Sequence, residues 1–292
     1  MTLRLLLIAL LAVVSLEGRA DDLARGDAAW AARAVGEREG LPLTGPIGEA
    51  RQAYEAALAA RPDDLEARWK LLRALHFEGD FCGLDEKGRR AILDRGREVA
   101  EAGLDPLARA IGAQEHLDRM ELERLAELLD AAGIRRSDVA RFYFWSAINW
   151  GAWSRVVGLL GAVRQGVANR LHRYTLVAVA LEPGYEEGGP FRLLGRLHAE
   201  LPRVPILSGW VDRSKAIPLI ENAYDLAPSN PGNRLLLALT LLELAPERRE
   251  EAIALLRQVE DVTPRPSMRI EDLAVREQAR RRLAAERASD AR

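Results

Sequence analysis

Ala50, Ala57 and Pro62 stand seven and five residues apart, and the chain uses that spacing three times. Ala216, Ala223 and Pro228 repeat it, and Ala252, Val259 and Pro264 repeat it again, 36 residues after the second copy. Behind the first two prolines come Arg68, Leu71 and Leu75, then Arg234, Leu237 and Leu241, in one register. Small residues seven apart share a helix face and let a neighbouring helix approach closely. The proline ends that helix and sets the turn into the next. Asp63-Asp64 and Ser229-Asn230 then offer capping oxygens to the helix that follows. A chain that repeats this unit is expected to be all-α, a helical-repeat array wound as an αα-superhelix.

Composition agrees with that expectation. Ala, Leu, Arg and Glu supply 160 of 292 residues, while Val, Ile and Thr supply 32, so strong helix formers crowd out strand formers. A net charge of −2 lacks the electrostatic footprint of a nucleic-acid binder, although Arg outnumbers Lys 39 to 3. A single cysteine, Cys82, excludes an internal disulfide framework and a Cys-rich metal site. It reads as a small buried residue or, less readily, as one half of an intermolecular disulfide.

The first twenty residues follow different rules. Arg4 precedes a largely apolar run from Leu5 to Leu16, and small residues stand at −3 and −1 of a cut after Ala20. The run is too short to span a bilayer, which takes ~20 apolar residues. The expectation is a signal peptide over 1–20, a periplasmic location, and one helical domain over 21–292 with no integral membrane span. No cysteine is placed to carry a lipid anchor.

The repeat resembles the tetratricopeptide repeat, a helix–turn–helix of ~34 residues, with units near 46–79, 212–245 and 248–264. An αα-solenoid of another type would produce the same spacing. Between the copies lies an irregular helical middle, 84–182. Apolar periodicity there predicts helices over Leu84–Gly103, Asp105–Gln114, Glu115–Ala132 and Ser137–Gly151, and over 152–182. Breaks are expected at Pro183–Pro190 and from Pro202 to Gly209. A charged final helix over 268–288, with a thin apolar stripe, is expected to cap the stack.

Two segments carry a sharper likeness. One is the aromatic tract from Arg141 through Phe142, Tyr143, Phe144, Trp145 and Trp150 to Trp153. The other is Gly188-Gly189-Pro190-Phe191-Arg192-Leu193-Leu194-Gly195-Arg196, continuing through Pro202 to Gly209-Trp210 and the second repeat helix. Together, over residues 45–260, they resemble the T-component family of TRAP transporters. That resemblance implies a periplasmic tetratricopeptide-like protein, without chemistry of its own, that works with the solute-binding protein of an ion-driven uptake system. Members are commonly lipoproteins, and this chain departs from them in lacking the acylated cysteine. Self-association into a homo-oligomer stays open, as does a second class of function, a general envelope scaffold with no small-molecule site.

The residues singled out for ligand or partner binding are Arg141, Trp145, Trp150, Trp153, Gly189, Arg192, Arg196 and Trp210. The aromatics would line a groove for an apolar or carboxylate ligand, with Arg141, Arg192 or Arg196 meeting the anion. The same spacing also suits core packing between stacked helices. Gly188-Gly189-Pro190 is either an anion-binding turn or a structural one, and Arg192, Arg196 and Glu200 suit a salt-bridged face. His76, His116, His172 and His198 show no metal-ligand spacing, and no nucleophile–base pattern appears. No catalytic residue, metal or cofactor is expected.

Overall fold

A computed structural model describes residues 21–205 and 207–290. The expected signal peptide lies outside the described residues. Within them the chain is helical, with no strand. Helices run through residues 21–31 (α1), Thr44–Ala60 (α2), Leu65–Phe81 (α3), Glu86–Glu101 (α4) and Leu104–Ala110 (α5). Leu122–Ala131 (α6), Arg136–Arg164 (α7), Val167–Leu181 (α8) and Gly189–Glu200 (α9) form the middle. Ala216–Leu226 (α10), Pro231–Leu244 (α11), Arg249–Glu260 (α12) and Arg269–Asp290 (α13) complete it.

The repeated positions fall where the spacing requires. Ala50, Ala57, Ala216, Ala223, Ala252 and Val259 are all 0% exposed, each on the helix that ends just before its proline. Asp64 caps α3 by accepting the Ala67 N–H at 3.1 Å. Asn230 caps α11 by accepting the N–H groups of Gly232 and Asn233 at 2.8 and 3.1 Å. These caps satisfy backbone donors that the first helical turn cannot pair. The two units share a further contact: Arg68 donates to the Pro62 carbonyl and Arg234 to the Pro228 carbonyl, so an arginine ties the same turn both times.

The middle departs from its periodicity in two places. Residues 115–121 form turns where a helix is expected. Gly112, at φ +63°, ends the preceding turn, and the segment instead points Leu117 and Met120 inward while Arg173 donates to both of their carbonyls. Conversely, α7 continues past Gly151, kinks at Gly158, where φ 76° and ψ 175° suit glycine almost alone, and resumes to Arg164.

α2 packs on α3, α3 on α4 and α7, α4 on α7, and from α7 onward each helix packs on the next, to α12 on α13. One buried cluster spans α1 to α9 and a second joins α10 to α13. The succession of helices closes on itself. Ile270, at the start of α13, belongs to the first cluster, and Arg33 beyond α1 pairs with Glu271 at 2.8 Å. Arg269 pairs with Glu37 at 2.8 Å. The two ends of the described chain therefore meet, and α13 is the closing element as well as the last one.

Candidate functional site

The meeting of the ends borders a half-open cavity of about 350 Å³, within the size range of small-molecule pockets. On α3, Arg73, His76, Phe77 and Phe81 line it, spaced so that one helix face carries them all. Trp30 and Arg33 come from the N-terminal end, Trp145 from α7, and Glu186 from the turn before α9. Ser267, Met268 and Glu271 close the far side. Trp30 and Phe77 meet edge to face at 5.6 Å, and the Phe77 and Phe81 rings lie tilted at 5.1 Å, which gives the cavity an aromatic floor.

Its charges are unevenly satisfied. Arg33 is committed: it bonds Glu271 with two nitrogens, at 2.8 and 3.1 Å, and donates to the Trp30 and Ser267 carbonyls. Arg73 has no carboxylate partner among the described residues. Its guanidinium stands 4.0 Å from the Trp30 ring centre and 5.1 Å from that of Trp69, and its buried Nε has no hydrogen-bond partner. The Tyr54 hydroxyl takes part of its donor set, and a guanidinium held against aromatic faces turns the remainder to an incoming anion. Burial lowers the His76 pKa against the opposing pull of Asp80, whose carboxylate is 3.6 Å away, so the imidazole is neutral near pH 7. Glu186 adds a negative charge to the lining, held in a left-handed backbone conformation at φ 49°.

The eight residues singled out from sequence do not converge. Trp145 alone lines the cavity, its indole N–H donating to the Tyr185 hydroxyl at 2.8 Å. Trp150 is 0% exposed and Trp153 8%; they meet edge to face at 5.4 Å inside the core, with the Trp153 indole bonded to Asp94. Phe142, Tyr143 and Phe144 are buried with them, so most of the aromatic tract is core. Arg141 stands behind the cavity wall, paired with Glu182 at 2.9 Å and lying 5.1 Å from the Tyr185 ring centre.

Arg192 is used internally. It donates to the Glu186 and Glu187 carbonyls and to Asn233, fastening the Gly-Gly-Pro turn to α11, and burial pulls its pKa down to about 10. Gly189 is buried where a Cβ would stand 3.0 Å from Phe144. Arg196 pairs with Glu200 on the surface at 2.9 Å. Trp210 stacks flat on His172 at 3.9 Å and donates to Asn169 at 2.9 Å, on the neighbouring face of α8 and α9. Cys82 is 9% exposed, and burial, with Glu78 adding to it, pushes its thiol pKa up to about 12, which leaves it a poor nucleophile.

Sequence reasoning missed Trp30, Arg73, His76, Phe77, Phe81, Glu186, Met268 and Glu271. The spacing of Arg73, His76, Phe77 and Phe81 on one face was a local signal. Nothing local joined that face to residues 267–271. Among the described residues no group of three His, Cys, Asp or Glu side chains is placed to hold a metal ion. None of the described helices is long and apolar enough to cross a membrane. No family model matches the chain, and no curated protein matches it.

Proposed function

We propose that this chain is a non-enzymatic binding protein built as a tetratricopeptide-like superhelix, and that it holds a small organic molecule in the cavity where its ends meet. The observation that carries the reading is Arg73, an arginine without a carboxylate partner, laid on Trp30 at the wall of a roughly 350 Å³ aromatic cavity. A ligand that fits has an apolar body against Trp30, Phe77, Phe81 and Trp145 and one anionic group on Arg73. Glu186 disfavours a second anionic group, so a monoanion or zwitterion is preferred to a dianion.

The three helix units in one register support the tetratricopeptide-like assignment. The likeness of 141–153 and 188–228 to TRAP T-components supports a periplasmic role beside a solute-binding protein. In that role the superhelix docks the solute-binding protein while the cavity takes the small ligand. The test is a pull-down of the chain from envelope extract, with native mass spectrometry of what remains bound. Recovery of a solute-binding protein and of a small acid of stoichiometric mass is the expected result. Recovery of envelope assembly factors alone, with an empty cavity, would overturn the reading in favour of a scaffold.

A further inference from the structure

The α7–α8 hairpin carries a surface that the cavity does not use. Asp and Glu together make 44 of 292 residues, yet none occurs from Val139 to Leu181, 43 residues that contain five arginines and no lysine. Most of those arginines are occupied. Arg141 pairs with Glu182, Arg155 with Asp80, and Arg173 with the carbonyls of Leu117 and Met120. Towards the tip, Arg170 donates to the Gln165 carbonyl and lies 4.8 Å from the Trp150 ring centre, and Arg164 is exposed with no ion pair among the described residues.

The tip itself is apolar. Gly158 breaks α7, and the turn beyond it exposes Leu159 to 76%, Leu160 to 74% and Val163 to 41%. Gly166, at φ 62°, starts the return helix. The loop that Trp210 fastens to Asn169, in the first turn of α8, adds exposed Val204 and Leu207. Large aliphatic side chains are also exposed at Val35, Leu41, Leu43 and Leu226, but here three stand within five residues and two of them are the most exposed of all those described.

We infer that the α7–α8 tip is a membrane-docking element that inserts Leu159, Leu160 and Val163 into the surface of a bilayer rich in anionic phospholipid. Apolar side chains at a hairpin end gain by leaving water for the acyl boundary, and Arg164 beside them reaches a phosphate while its stem stays apolar. The absence of any carboxylate along the hairpin removes the repulsion that an anionic surface would otherwise exert. The shape favours lipid over protein. A stable protein interface buries roughly 1,200–2,000 Å² in all, far more than three side chains on a hairpin end cover, whereas a bilayer demands no matching contour. The inference rests on the tip alone and stands whether or not the cavity holds a ligand.

Vesicle flotation tests it, using the full chain and the same chain begun at Asp21, so that the apolar leader contributes nothing to the second. Phosphatidylcholine vesicles are compared with vesicles containing phosphatidylglycerol. The protein is expected to float with the anionic vesicles, less so at high salt. The double substitution Leu159→Glu/Leu160→Glu should reduce the bound fraction about tenfold or more, with no loss of melting temperature, since both side chains are exposed. Arg164→Glu should weaken binding to anionic vesicles only. Equal flotation of the wild type and the double variant would overturn the inference, as would no flotation with either vesicle. Light scattering on the same samples covers the other occupant: a dimer that dissolves in the double variant would mean that the tip binds a second copy of the chain instead.

Discussion

Trp145 and Trp150 sit five residues apart on one helix and do different work. Trp150 is wholly buried against Trp153, whereas Trp145 reaches the cavity and bonds Tyr185. Trp150→Ala is expected to cost about 3–5 kcal/mol in denaturant unfolding. Trp145→Ala should cost less than half of that and instead weaken whatever the cavity binds. The aromatic tract was legible as important, but which of its members faced the cavity was not. Core and lining aromatics obey the same helical spacing, and only the neighbouring helices decide between them.

A second prediction at this scale concerns His172. Burial lowers its pKa from 6.5 to about 4, with His198 and Lys215 adding to the effect, and burial lowers that of His198 as well. The unfolded chain therefore binds more protons than the folded one between these values. Stability should fall as pH drops from about 6.5 towards 4 and hold steady above that window. His172→Gln should flatten part of the slope, on the order of 1 kcal/mol after allowance for solvent screening, measured as thermal unfolding across pH.

At the scale of elements, the repeat and the Gly-Gly-Pro turn prove to be one device. Gly188 has φ +89°, and a Cβ added there would stand 2.9 Å from the Cα of Ala223, the second small residue of the repeat helix α10. The small residue is needed because the turn presses its backbone on it. Arg192 and Asn233 then lock the turn by hydrogen bonds to the Glu186 and Glu187 carbonyls. Gly188→Ala should destabilise the protein by about 2–4 kcal/mol, from the strained backbone and the overlap together, seen as a lower denaturation midpoint. The repeat spacing made these helix pairs readable in sequence. Residues 115–121 were misread because their apolar spacing suits a helix, whereas Gly112 and the Arg173 bonds hold them as turns. Gly151 was misread as a boundary because nothing local distinguishes it from Gly158, where the backbone actually turns.

For the whole molecule, closure is what brings the lining of the cavity together. A periodic sequence specifies how each helix meets its neighbours, and it leaves unstated whether the last helix returns to the first. That return depends on Arg33 meeting Glu271 across 238 positions and on Ile270 entering the first cluster. Arg33 is only 4% exposed, so removing its partner strands a buried charge. Glu271→Ala should cost about 3–5 kcal/mol and loosen the cavity wall, read as faster amide exchange in residues 21–35 and 266–275 together. Exchange confined to one of these segments would mean that the ends are not coupled.

The most direct measurement is calorimetric titration of an arylalkyl monocarboxylate such as phenylacetate into the wild type, Arg73→Ala and Glu271→Ala. Saturable binding at one site is predicted in the wild type, with affinity at least about tenfold weaker without the Arg73 guanidinium and also weakened when Glu271 is removed. Binding that is indifferent to Arg73, or no binding by the folded wild type, would contradict a ligand site built where the two ends of the array meet.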